Sequence, residues 1–279
     1  SDIPRDIEKG LSMFRLAVDQ NYKAATRDLA RYYYSLETEE DNRKALDYYL
    51  QYIEYNPKDT DTLLHIGLIY ESGLGVPLNI DLARRYYERA AEQDETGMAY
   101  NFLGGTYMND EETESNERKA VHYFQKAIEL GNTNAMFRIS YYLHNGKGGL
   151  QVDIPREIEL LTEASKRGNH QATYRLGLLF EDNESGMAQN LELSVKYFQL
   201  AADNGILAAI NKMGELYLFG EVIPANLTKA ISCFTAASEQ GYGKASYWLG
   251  RLHTDGIGQL EKDTQKAMNY YRKAIEQGY

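Results

Sequence analysis

The chain has 279 residues, 43% of them apolar, and 30 basic against 41 acidic side chains give a formal charge of −11 at pH 7. Such acidity without a block of Lys and Arg excludes a phosphate-backbone binder, which needs several clustered cations. No run approaches the roughly 18 apolar residues of a helical membrane span, and the opening SDIPRDIEKG has no signal-peptide core.

In chain order, residues 6–21 read as the second half of a helix–loop–helix unit, opened by Asp6, with Met13, Phe14 and Ala17 facing inward. Residues 23–57 form the first whole unit, rich in tyrosine (Tyr32, Tyr33, Tyr34, Tyr48, Tyr49, Tyr52), with a charged loop at Glu37–Asp41. The second, 59–95, shows the pattern best: IGLIYESGLGVPLNIDLARRYYERAA, from Ile66 to Ala91, reads as helix, glycine loop, helix. It returns at 97–131, 133–168, 170–205, 207–241 and 243–278, with a period of 36 to 38 residues. Self-similarity at such a period marks a repeat architecture, and no linker interrupts it. The expectation is an all-α chain of about fifteen helices in one elongated domain, each unit touching mainly its neighbours.

Positions that hold one chemical type in every copy carry this reading. Asp41, Asn79, Asn116, Asp153, Asn190, Asn226 and Asp263 open the second helices, where a side-chain oxygen caps the first-turn amides. In the first helix, Ala25, Thr62, Ala99, Ala135, Ala172, Ala209 and Ala245 precede a second small residue by five: Ala30, Gly67, Gly104, Ser140, Gly177, Gly214 and Gly250. Glycine inside a helix costs up to about 1 kcal/mol relative to Ala, so its recurrence predicts close approach of another helix. The second helices carry pairs such as Tyr86-Tyr87, Tyr123-Phe124, Tyr197-Phe198 and Tyr270-Tyr271, then an Ala on the same face. Gly131, Gly168, Gly205, Gly241 and Gly278 end them as left-handed caps, with Asn21, Asn56 and Asp94 as substitutes in earlier copies. Two places break the pattern: MNDEETES at 108–115 replaces the glycine loop, and Glu157 occupies a small position.

The pattern A-x3-L-G-x2-Y-x2-G-x-G-V, then D-x2-K-A-x2-Y-Y-x2-A-A and a closing Gly, resembles the Sel1-like repeat, a relative of the tetratricopeptide repeat. The resemblance covers nearly the whole chain and implies an α/α solenoid of about seven repeats wound into a right-handed superhelix. It also implies a non-catalytic adaptor or scaffold in a larger, membrane- or envelope-associated assembly, with an exported, periplasmic or secretory-lumen setting. The absence of polar capping units at either end leads us to expect a piece of a longer chain, whose open ends could self-associate.

Catalytic and metal chemistry find no pattern. Cys233 stands where other copies have Tyr86, Tyr123, Tyr197 and Tyr270, so it is expected to be buried and inert. His65, His122, His144, His170 and His253 are scattered without ligand spacing, and His253 falls in the aromatic position of Tyr70, Tyr107 and Tyr217. Gly73-Leu74-Gly75, Gly146-Lys147-Gly148-Gly149 and Gly256-Ile257-Gly258 lack the context of a phosphate loop and recur with the repeat. Sequons start at Asn183 and Asn226, the latter already a helix cap. No cofactor or metal is expected, and the chain reads as a non-enzyme.

The positions free to vary lie three and six residues after the small Ala of each first helix. They place Arg138, Arg175, Lys212 and Trp248, with Tyr141 and Arg251, on the face expected to be concave. Four cations with two aromatic rings fit an extended protein or peptide partner bearing acidic groups. Pairing of the same cations with neighbouring carboxylates on a solvated face remains the alternative for these residues. For the chain as a whole, the alternative is a carbohydrate or cell-wall ligand binder using tyrosines and carboxylates, with at most weak hydrolytic activity.

Overall fold

The computed structural model describes residues 7–20, 22–182, 189–257 and 261–279, and among them fifteen α-helices and no strand. The chain forms two compact units, Ser1–Val152 and Asp153–Tyr279. The first holds α1 (Ile7–Asp19), α2 (Lys23–Tyr34), α3 (Glu39–Tyr55), α4 (Thr60–Ser72), α5 (Ile80–Ala91), α6 (Met98–Met108), α7 (Glu114–Glu129) and α8 (Thr133–Asn145). The second holds α9 (Ile154–Lys166), α10 (His170–Glu181), α11 (Leu191–Asp203), α12 (Leu207–Phe219), α13 (Leu227–Glu239), α14 (Gly243–Asp255) and α15 (Thr264–Glu276). Within each unit a helix packs chiefly on its neighbours in sequence, as expected of a stacked repeat.

The helical glycines make room for rings. A Cβ on Gly177, Gly214 or Gly250 would come within 2.6 Å of Phe198, Phe234 or Tyr271 in the second helix of the same repeat. Gly67 and Gly104 sit likewise against Tyr87 and Phe124. Tyr87, Phe124, Phe198 and Phe234 are fully buried there, so the helix-propensity cost of glycine is offset by a close-packed aromatic. A second ring pair recurs beside the first. Tyr33–Tyr48, Tyr70–Tyr86, Tyr107–Tyr123, Phe180–Tyr197 and His253–Tyr270 stack at 5.7–5.9 Å with interplanar angles of 10° or less. The expected packed role of His253 is what the structure shows. At two of the three seams between repeats of the second unit, hydroxyls meet at equivalent positions, Ser165 with Thr173 and Ser238 with Ser246, each at 2.7 Å, while the seam between them has Ala202 and Ile210.

Five of the expected caps are present: Asn79, Asp153, Asn190, Asn226 and Asp263 each accept from the amide three residues on. Asp41 and Asn116 do not cap. Their helices begin one turn earlier at Thr38 and Thr113, whose hydroxyls accept from the Asp41 and Asn116 amides. The threonine three residues ahead supplies an earlier cap in the two repeats whose loops lack glycine. The five closing glycines take φ of 80–93°, as expected. Asn56 does not, with φ −126°, and Asp94 instead receives the amides of Thr96, Gly97 and Ala99 at the head of α6. Asn21, Asp6 and Gly258 fall outside the described residues.

The inward face expected for the first half-unit is also corrected. Met13 and Phe14 are 62% and 42% exposed, while α1 packs through Leu11 and Val18.

Candidate interaction surface

Variable residues of the first helices meet the preceding repeat, and this decides what is open to a partner. In four copies the position three residues after the small residue lies over the buried second-helix ring of the repeat before it. His65 stacks on Tyr49, Phe102 on Tyr87, Trp248 on Phe234, and Lys212 sets its ammonium 5.7 Å from the Phe198 ring centroid. These positions looked unconstrained in sequence because each copy solves the contact with different chemistry.

Four of the six candidate residues belong to the second unit. Arg175 reaches back to α9, where its Nε and Nη2 both lie 3.1 Å from Oε1 of Glu157, which is 0% exposed. Glu157 is thus the acid that replaces a small residue, and α9 stays regular around it because the cation arrives from the next helix. Lys212 Nζ lies 2.8 Å from Oε1 of Glu181 and 3.9 Å from Oε2 of Glu215. Glu215 also accepts from Trp248 Nε1 at 2.9 Å and Asn211 Nδ2 at 3.0 Å, and pairs with Lys244 at 2.7 Å. Burial lowers the Lys244 pKa, but the hydrogen bond and charge of Glu215 outweigh it and leave the pKa raised. A ladder of alternating charge thus runs across α10, α12 and α14. Arg251 sits at the exposed end, its guanidinium 5.6 Å from the Trp248 ring and 3.5 Å from Asp255.

The other two lie in the first unit. Arg138 rests its guanidinium on Gly105, where a Cβ would collide with Nη1, and no carboxylate among the described residues pairs with it. Tyr141 is exposed and packs edge-on against Tyr142 at 5.3 Å. Lys147 lies 5.5 Å from the Tyr141 ring, and its pKa is raised first by the hydrogen bond it donates to the Tyr141 hydroxyl and then by Glu117. Burial pushes the Tyr142 hydroxyl up to about 12. The six are therefore placed two and four in separate units, and Arg175 and Lys212 already hold carboxylates of the chain.

Cys233 is half-buried, and burial raises its thiol pKa against the weaker opposing effect of Lys229. Alkylation by iodoacetamide at neutral pH should be slower in the native chain than in urea-unfolded chain; equal rates would mean an open thiolate. Among the described residues no three His, Cys, Asp or Glu side chains converge as a metal site, and no helix is long and apolar enough to cross a membrane. The Asn183 sequon lies outside the described residues.

Comparison with known families matches the Sel1 repeat at residues 1–22, 23–51, 61–95, 97–132, 133–169, 170–206, 207–242 and 243–279. The chain belongs to the Sel1 repeat family. Sel1-repeat proteins are generally protein-interaction scaffolds and typically non-catalytic. Among relatives, human protein sel-1 homolog 2 is 42% identical over 74 residues, 26% of this chain and 11% of that protein. An uncharacterized protein of Neisseria meningitidis serogroup B is 25% identical over 98% of this chain and 55% of its own length. The chain thus spans only a part of these relatives. A Sel1 repeat protein from Oxalobacter formigenes superposes with a TM-score of 0.77 at 22% identity, covering 88% of this chain and 98% of that one. A protective antigen of uropathogenic Escherichia coli with an SLR fold gives 0.65 at 20%, covering 100% and 59%. These likenesses establish the α/α Sel1-repeat solenoid fold.

Proposed function

We propose that this Sel1-repeat chain is a non-catalytic adaptor that holds a protein partner on the face of its first helices, within a larger assembly at a membrane or envelope. The observation that carries the reading is the charge ladder of α10, α12 and α14. Successive repeats contribute a different polar or aromatic side chain there, while the scaffold positions beneath are buried. Such a surface is rigid before a partner arrives, so little ordering is lost on binding. Tyrosine stacking within repeats engages the rings that a sugar platform would need, which favours a protein partner over a carbohydrate.

Arg138, Tyr141 and Arg251 are the residues to test, because none neutralises a buried charge. An Arg138→Glu, Tyr141→Ala, Arg251→Glu variant should keep its helical circular dichroism and lose the partner that the wild type recovers from native extract. Equal recovery by both proteins would remove the first-helix face as the binding surface.

A further inference from the structure

The sixth repeat lacks the ring pair that five others have, as does the fourth with Leu143 and Leu160, and its first-helix ring lines a pocket. Five repeats stack a first-helix ring on a second-helix ring. In the sixth, Tyr217 occupies the first position and Cys233 the second, and among the described residues Tyr217 has no ring partner. Tyr217 instead forms a wall of a pocket of about 630 Å³ between α11, α12 and the 220–226 loop. Its floor is the buried Met213, and Val195, Leu200, Ile223 and Pro224 give it an apolar lining. None of the six first-helix residues discussed above contributes to it.

The rim is the reverse of the rest of the molecule in charge. Lys196 of α11 and Lys229 of α13 both line the pocket, and neither has an ion-pair partner among the described residues. Lys229 sets its ammonium 5.1 Å from the Tyr217 ring centroid, a contact that leaves its charge uncompensated by a carboxylate. The single acid in the lining, Asp203, is engaged by the Gln199 amide at 2.7 Å. Two lysines without acid partners among the described residues thus flank an apolar hollow in a chain of net charge −11. Leu200, 48% exposed, adds apolar surface that no neighbouring helix covers.

We infer that this pocket is a second binding site, for an acidic peptide segment that inserts one aromatic or large aliphatic side chain and places flanking carboxylates on Lys196 and Lys229. The guest's side chain packs on Tyr217 and Met213, while its carboxylates meet ammonium groups that need no partner to be broken first. Charge-assisted contacts at the rim set orientation, and the apolar floor supplies the desolvated anchor. The site stands beyond the first-helix surface and does not depend on it.

The test uses a pool of fluorescently labelled, end-blocked pentapeptides, Glu-Glu-Xaa-Glu-Glu, with Phe, Trp, Tyr, Leu or Met at the centre. Anisotropy titration of the whole chain should show saturable binding of at least one member, weakening with added salt. Lys196→Glu with Lys229→Glu should reduce that affinity about tenfold or more, since like charges then face the peptide. Ala225→Phe, which fills the hollow without altering charge, should reduce it comparably, whereas Arg138→Glu with Arg251→Glu should leave it unchanged. Absence of saturable binding up to millimolar peptide, or affinity indifferent to both the lysine and the Ala225 changes, would overturn the proposal. Loss with the Arg138 and Arg251 changes instead would assign the peptide to the first-helix face and overturn it equally.

Discussion

Gly177→Leu is expected to destabilise the second unit by about 3 kcal/mol or more, at or above the top of the usual range for overpacking. The Cβ alone would meet the Phe198 ring at 2.6 Å, and that ring is fully buried with nowhere to retreat. Serine at this position should cost less, because removing a helical glycine returns up to about 1 kcal/mol. The fourth repeat suggests the compensation: the same two positions hold Ser140 and Leu161. Gly177→Ser combined with Phe198→Leu should therefore be more stable than the sum of the single changes predicts, with a coupling of about 1 kcal/mol or more in urea denaturation. Strict additivity would show that the ring is not what the glycine accommodates.

Arg175→Ala should be nearly as damaging for a different reason. Removing one partner of a buried ion pair takes its countercharge from the other, typically at a cost of about 3–5 kcal/mol. Arg175 keeps 29% of its side chain exposed, which places the expected loss toward the lower end. Glu157→Ala restores the residue that Ala83, Ala120, Ala230 and Ala267 supply in other repeats, and leaves an arginine that can turn to water. The double variant should regain much of the stability lost by Arg175→Ala. If the double variant is as unstable as Arg175→Ala alone, packing by the arginine stem, and not charge, is what matters. A charge reversal at Arg175 would thus confuse folding with partner binding.

The repeat, its glycines and most of its caps were legible because each answers a constraint that recurs in every copy. Asn79 and Asp263 cap for the same reason, and period alone aligns them. Thr38 and Thr113 were missed because they serve only the two copies with acidic loops, although a threonine three residues before Asp41 and Asn116 was a readable sign. The surface was less legible. Trp248, Lys212 and His65 look unrelated in sequence, yet each covers a buried ring of the preceding repeat, and three-dimensional neighbours rather than spacing reveal it. Arg175 read either as a partner contact or as one half of an ion pair within the chain, because its carboxylate lies eighteen residues away on another helix. The pocket beside Tyr217 was not legible, because its lining comes from three helices and a loop that spacing alone does not bring together.

The hydroxyl pairs Ser165–Thr173 and Ser238–Ser246 bear on how such an array can evolve. At the equivalent positions the first unit has Ile128 and Met136. A copy duplicated or recombined across these two chemistries would press a hydroxyl against an aliphatic chain and leave it unsatisfied, at about 1–3 kcal/mol per orphaned group. Modules with matching seams can be exchanged at no such cost, and mismatched ones carry it. A chain of near-identical units thereby keeps a heritable order of its parts, written in the joints between them.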